Sequence, residues 1–176
     1  MACLLTKDYT FVGCKDQLAG ISEVLICEYD FVNISSMTVA AGIVTALTCA
    51  TGKKFRRYIL DKERGEYSFD LTGNKETGIN TYLHKVMFTT NKITTDMVLE
   101  MDLVAKNWTI IIVKEADGTY RMYGREKGME LVTGGINSAK ELGGFKGQVW
   151  TFESIQPSHA LEVQSSLITT LLSPAV

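Results

Sequence analysis

The sequence predicts a mostly-β fold, a β-sandwich or barrel with one flanking α-helix. Three observations predict it. Apolar and polar residues alternate with period two in several runs between residues 24 and 156, as half-buried strands require. Turn chemistry punctuates those runs at Thr51-Gly52, at the charged stretch 61–65 and at Ala116-Asp117-Gly118. One segment, residues 95–106, instead carries an apolar stripe at helical spacing, with a capping residue before it.

Taken in order, residues 24–32 set Leu25, Cys27, Tyr29 and Phe31 on one strand face and Glu28 and Asp30 on the other. Residues 43–49 are β-branched and small, which fits a strand. Gly52 tolerates the positive φ of a hairpin turn, so residues 55–60 are expected to return antiparallel to it. After the charged turn, Tyr67, Phe69 and Leu71 alternate with Ser68, Asp70 and Thr72. A longer strand over 78–90 places Tyr82, His84, Val86 and Phe88 on one face and Leu83, Lys85 and Met87 on the other. Neither face is wholly polar, so cover is expected on both sides.

The helix is capped by Thr94 or Thr95, with Asp96 in its first turn and Lys106 near its end, both matched to the helix dipole. Met97, Met101, Val104 and Ala105 fall on one side, and Leu99 and Leu103 broaden that stripe toward a sheet. Residues 108–113 and 119–123 form a hairpin about Asp117-Gly118. Residues 129–133 read as a short strand, 134–147 as a Gly-rich loop, and 148–156 as a strand with Trp150 and Phe152 on one face. Residues 160–172 fit either strand or helix. The total is about nine strands and one helix, in an α+β or all-β arrangement. Residues 21–157 are read as the β domain, 1–20 as an N-terminal extension and 158–176 as a C-terminal extension.

Composition narrows the function classes. The 176 residues are 45% hydrophobic and 22% charged, a globular balance with enough chain for a sizeable core. A net charge of −2 supplies no basic field for holding nucleic acid or an anionic membrane. The only prolines are Pro157 and Pro174, so no Pro-rich linker divides the chain. Residues 1–10 include Lys7 and Asp8 and no apolar run, so no secretory signal is expected. Residues 37–50 fall short of the roughly 20 needed to span a bilayer.

Chemistry-bearing patterns are few. Cys3, Cys14, Cys27 and Cys49 form no CxxC pair or zinc spacing, and Cys27 and Cys49 read as small apolar strand residues. His84 lies mid-strand and His159 follows Pro157, neither within a GxSxG, HExxH or Cys/His pattern. Glu28 and Asp30, at i and i+2, stand roughly 6–7 Å apart on a strand face, which alternation alone explains. Gly52-Lys53 fails as a phosphate loop: Lys54 stands where Ser or Thr is needed, and Leu47 where Gly is needed. The run Lys53-Lys54-Phe55-Arg56-Arg57 fits a solvated edge strand whose charges discourage stray pairing. The sequons at Asn33 and Asn107 carry no weight without a secretory signal. No catalytic residue, metal or cofactor is expected.

Residues 42–160 resemble the tail-tube (major tail) proteins of long-tailed bacteriophages. The matching stretches, in order, are "GIVTALTCATGKKFRRYILD", "GEYSFDLTG", "MYGREKGMELVTGG" and "GFKGQVWTFESIQP". The resemblance spans about two thirds of the chain, and its motifs are packing patterns rather than chemical ones. The resemblance implies a structural protein of the virion tail, assembled in the host bacterial cytoplasm. Six copies would join sheets edge to edge into a ring, and rings would stack into a tube with other tail and neck proteins at its ends. Double-stranded DNA would leave through the lumen without sequence-specific binding. On this reading the sheet holding residues 43–60 and 78–90 builds the ring. Val44, Leu47, Phe55, Arg57, Leu83, Met87 and Phe88 are its expected subunit contacts, and Glu28 and Asp30 its expected lumen lining. The loop 134–147 and both termini would meet neighbouring rings. Phe88→Asp is then expected to stop assembly. The rival readings are another tail or neck ring, such as a tube terminator, and a monomeric β-sandwich binding module.

Overall fold

The computed structural model describes residues 19–74, 78–91, 93–141 and 144–174. Within them eleven strands form two antiparallel-dominated sheets, flanked by two α-helices. The strands are β1 (Ile21–Glu28), β2 (Thr38–Ala40), β3 (Ile43–Ala46), β4 (Arg56–Ile59), β5 (Gly65–Asn74) and β6 (Ile79–Thr90). They continue as β7 (Thr109–Glu115), β8 (Tyr120–Tyr123), β9 (Glu130–Ser138), β10 (Lys146–Gln156) and β11 (Leu161–Val163). The helices are α1 (Thr95–Val104) and α2 (Ser165–Leu172). Among the described residues no helix is long and apolar enough to cross a membrane.

The larger sheet has seven strands in the order β2-β3-β11-β8-β7-β1-β4. Its middle strands β1 (ISEVLICE) and β7 (TIIIVKE) are buried on both faces, so they read as continuous apolar runs rather than alternating ones. Their register, with Leu25 opposite Ile112 and Ile26 opposite Ile111, sends successive residues into two separate cores. On one face Leu25, Cys27, Ile110, Ile112, Met122, Leu161 and Val163 pack beneath Ile168 and Leu171 of α2. On the other, Val24, Ile26, Ile111, Val113 and Tyr123 meet Val86, Phe88, Trp150 and Phe152 of the second sheet.

That second sheet has four strands, β5-β6-β10-β9, all antiparallel. Its inner face carries an aromatic ladder: Trp150 lies 5.7 Å from Phe88 and 6.2 Å from Phe152, with rings nearly parallel. Each such ring buries on the order of 150–250 Å², which makes this ladder a main source of cohesion between the sheets. Helix α1 closes one side of the sandwich. Thr94 caps it, its hydroxyl accepting from the Met97 amide at 3.3 Å, and Met97, Met101 and Val104 face the core. Leu99 and Leu103 do not broaden that stripe; both are more than half exposed.

Several expectations change here. Residues 43–49 and 55–60 do not pair: β3 and β4 lie toward opposite edges of the larger sheet, and the segment between them crosses its face. Leu47, Cys49 and Phe55 anchor that crossing in the core, and the Phe55 amide donates to the Leu171 carbonyl of α2 at 2.9 Å. Nor do residues 43–60 share a sheet with 78–90, since β6 belongs to the other one. The strand expected over 24–32 ends at Glu28, where a single 3₁₀ turn, Tyr29–Phe31, begins. Residues 158–176 are no appendage over their described part: β11 inserts between β3 and β8, and α2 roofs the first core. The described part of the 1–20 extension is only Ala19 and Gly20; Cys3 and Cys14 lie outside the described residues.

The turn joining β8 to β9 is held by one buried side chain. Gln156 accepts from the amides of Glu126 (3.0 Å) and Lys127 (3.2 Å) and donates to the Gly128 carbonyl (3.1 Å). Gly124 opens this turn at φ +80°, and a Cβ there would stand 2.7 Å from Met129 Cγ and 3.0 Å from backbone atoms. Gly124→Ala should therefore cost about 2 kcal/mol or more, left-handed backbone strain plus a clash with a buried methionine. A lower urea midpoint at unchanged slope checks it; an unchanged midpoint contradicts it.

Candidate assembly surface

The two sheets treat their edges differently. The larger sheet ends in β2, three residues long, and β4, four residues carrying Arg56 and Arg57. Short edges and edge cations are the standard devices against uncontrolled strand addition, because an edge presents unpaired N–H and C=O groups to any passing strand. The basic run 53–57 thus lies partly on an edge, as its composition predicts. Arg57 is engaged there. Glu23, itself buried, accepts from Arg57 Nε at 2.8 Å and Nη2 at 2.7 Å and from Lys114 Nζ at 3.1 Å. Burial alone would push the Glu23 carboxyl up, but those hydrogen bonds and the two positive charges hold it below the usual carboxylate range.

The four-stranded sheet lacks such protection. Its edges are β5, ten residues, and β9, nine residues, so each runs about 30 Å. Strand β9 (ELVTGGINS) holds a single charge, Glu130, and exposes Val132 and Ile136. Strand β5 holds Glu66 and Asp70 and exposes Phe69 and Leu71. Neither contains proline or a basic residue. Both have their inner neighbour in place and no second partner strand among the described residues.

Glycine content predicts a loop over 134–147, yet β9 runs through residues 134–138. Gly134 is where Met101 of α1 packs against the sheet; a Cβ there would stand 3.0 Å from Met101 Sδ. The glycine admits the helix, and pairing with β10 (Gly134 opposite Trp150, Ile136 opposite Gln148) keeps the chain extended. Composition points to a loop because glycine weakens strands; only the close helix explains it.

Cross-strand register also defines the sheet's outer face. Leu83, Lys85 and Met87 of β6 point away from the core, opposite Ile155, Glu153 and Thr151 of β10 and Asp70, Ser68 and Glu66 of β5. Glu130 of β9 lies opposite Glu153. That face therefore carries four carboxylates, Glu66, Asp70, Glu130 and Glu153, against Lys85, which bridges Glu153 at 3.0 Å. Apolar Leu83, Met87 and Ile155 lie among them.

The expected contact residues divide accordingly. Val44, Leu47, Phe55 and Phe88 are at most 2% exposed, so they are core side chains with no surface to offer a neighbour. Leu83 and Met87 are half-buried on the outer face, and Arg57 is on the β4 edge. Glu28 ends β1 in the larger sheet and Asp30 sits in the 3₁₀ turn, so the two do not share the strand face expected of them. His84 is buried on the inner face, bonded through Nε2 to the Ser158 carbonyl at 3.0 Å. Among the described residues no three His, Cys, Asp or Glu side chains come together as a metal would need. Searched against family models, curated proteins and solved structures, the chain matches none.

Proposed function

We propose that this protein is a structural subunit of a phage tail tube, extending its four-stranded sheet from copy to copy into six-fold rings that stack. The observation carrying the reading is the unequal protection of edges: β5 and β9 are long and hold neither a proline nor a basic residue, whereas β2 is short and β4 is short and basic. Strand direction supports it. An antiparallel sheet with an even number of strands has edges running in opposite directions, so β9 of one copy meets β5 of the next antiparallel. Such a head-to-tail contact closes into a ring when its rotation divides a full turn.

The outer face of this sheet is then the lumen wall. Its acidic excess favours free passage of DNA, because phosphate binding is driven by lysine and arginine. The role is one of assembly rather than catalysis.

The test is electron microscopy and sedimentation of the purified protein alongside a Val132→Lys/Ile136→Lys double variant. Wild type is expected to form rings or hollow filaments. The variant, charged along its open edge and unaltered in its core, should sediment as a folded monomer with an unchanged melting temperature. Rings that never stack would favour a terminator or neck component. A wild-type chain monomeric at every concentration would leave the binding-module reading in its place, and filaments from the variant would contradict the edge assignment.

A further inference from the structure

At the end of β6, beside the start of α1, the sandwich holds polar groups that its own side chains do not satisfy. Gln148 of β10 is 0% exposed, although it shares the inner face with Trp150 and Phe152. Its cross-strand neighbour is Thr90, the last residue of β6, just as Phe88 is the neighbour of Trp150. Among the described residues, Gln148 Nε2, Gln148 Oε1, Trp150 Nε1 and Thr90 Oγ1 have no hydrogen-bond partner. Buried amides and indoles nearly always have one, because an unmade bond leaves the loss of water uncompensated. Three such residues side by side call for one shared partner.

A cavity of about 530 Å³ opens at this place. Thr90 lines it, and so do Tyr58 and Met97, both packed on the cluster that contains Trp150. The Tyr58 and Trp150 ring centroids are 6.0 Å apart, so the indole lies directly behind that wall. Gln148 stands beside Thr90 on the same inner face. Ile59 adds apolar surface, and Asp61 is the one charged lining residue among those described. Its carboxylate accepts from the Lys62 amide at 2.9 Å and from Asn91 Nδ2 at 3.2 Å.

The chemistry of the ligand follows from these groups. Apolar walls that include an aromatic ring take a flat face. A glutamine amide presents a donor and an acceptor side by side, so it pairs twice with an edge offering an acceptor beside a donor, as adenine does. The Trp150 N–H supplies a further donor for a ring nitrogen. An anion is disfavoured, since Asp61 lines the cavity and Asp96 already occupies the first turn of α1, where a phosphate would be drawn. We propose that this cavity binds a neutral adenine-type nucleoside, with Gln148 on its amino group and ring nitrogen and Tyr58 against its face. Met97, unbranched and flexible, is the side chain that moves to admit the base edge to Gln148. This inference does not depend on the tail-tube reading, which uses the edges β5 and β9.

The full-length chain is titrated with adenosine, read by calorimetry and by tryptophan fluorescence; Trp150 is buried and Trp108 more than half exposed. Saturable binding is expected, with a raised melting temperature at saturating adenosine. Purine riboside, which lacks the amino donor, should bind about tenfold more weakly. Adenosine monophosphate should also bind more weakly than adenosine. Both comparisons use the wild-type chain, so neither depends on a variant that folds. Gln148→Leu, similar in size and without polar atoms, should keep a cooperative melt and lose adenosine affinity by about tenfold. No saturable binding to the wild-type chain at millimolar adenosine overturns the proposal. So does equal affinity for adenosine and purine riboside, or a folded Gln148→Leu chain that binds adenosine as tightly as the wild type.

Discussion

Phe88→Asp should yield a chain that does not fold, not a folded chain that fails to assemble. Phe88 is fully buried between the sheets, stacked 5.7 Å from Trp150 and 6.1 Å from Phe152, with Tyr58 at 6.0 Å. Removing a buried phenylalanine costs roughly 3–5 kcal/mol. A carboxylate set among those rings adds a desolvation penalty of several kcal/mol. Together these match the roughly 5–15 kcal/mol by which domains of this size are stable. The measurement is far-ultraviolet circular dichroism and a urea titration of the soluble fraction. A cooperative transition with near-wild-type midpoint would refute the placement of Phe88 in the core. Phe88→Leu, which keeps an apolar body, should fold at a lowered midpoint and still assemble.

That result separates two meanings of apolarity in this sequence. In β6 the alternation names the faces correctly: His84, Val86 and Phe88 are buried, while Leu83, Lys85 and Met87 are half-buried. It does not say which face meets the chain's own core and which is left for something else, because Leu83 and Met87 look as apolar as Val86. The cap at Thr94 and the turn at Asp117-Gly118 are legible because both act within a few residues: the Thr119 amide bonds Asp117 Oδ1 at 2.9 Å. Pairing across the chain is not legible in the same way. Gly52 does take a positive φ, as a hairpin would need, yet the strands either side of it find other partners. Core anchors such as Phe55 and Leu47 decide that crossing, and they carry no local signature of it. Strand β11 is hidden for the same reason, three residues whose strand state is set by β3 and β8 on either side. The open edge of β9 is masked by its two glycines, one of which admits Met101.

Lowering the pH should destabilise the protein in a window set by one histidine. His84 is 2% exposed, its ring edge-on to Tyr123 at 5.5 Å and to Phe69 at 6.4 Å. Its Nε2 faces the Ser158 carbonyl, which only accepts, so Nε2 carries the proton of a neutral ring. Burial drives the pKa down to about 4 from 6.5; the Ser158 bond opposes that change, and the nearby charges of His159 and Arg125 add to it. The unfolded chain protonates this histidine near pH 6.5 and the folded chain does not, so between those values the unfolded state binds the extra proton. Stability is therefore full above about pH 6.5 and falls as pH drops toward about 4, by about 3 kcal/mol, since each tenfold difference in proton affinity between the two states is worth about 1.4 kcal/mol. Glu23, held low by Arg57 and Lys114, loses its contribution only below the ordinary carboxylate range and acts in the same direction. Urea midpoints measured from pH 7 to pH 4.5 isolate the histidine. His84→Gln keeps a donor for the Ser158 carbonyl and cannot titrate, so its midpoint should change far less across that range. An equally steep fall in the variant would assign the acid sensitivity elsewhere and take His84 out of the account.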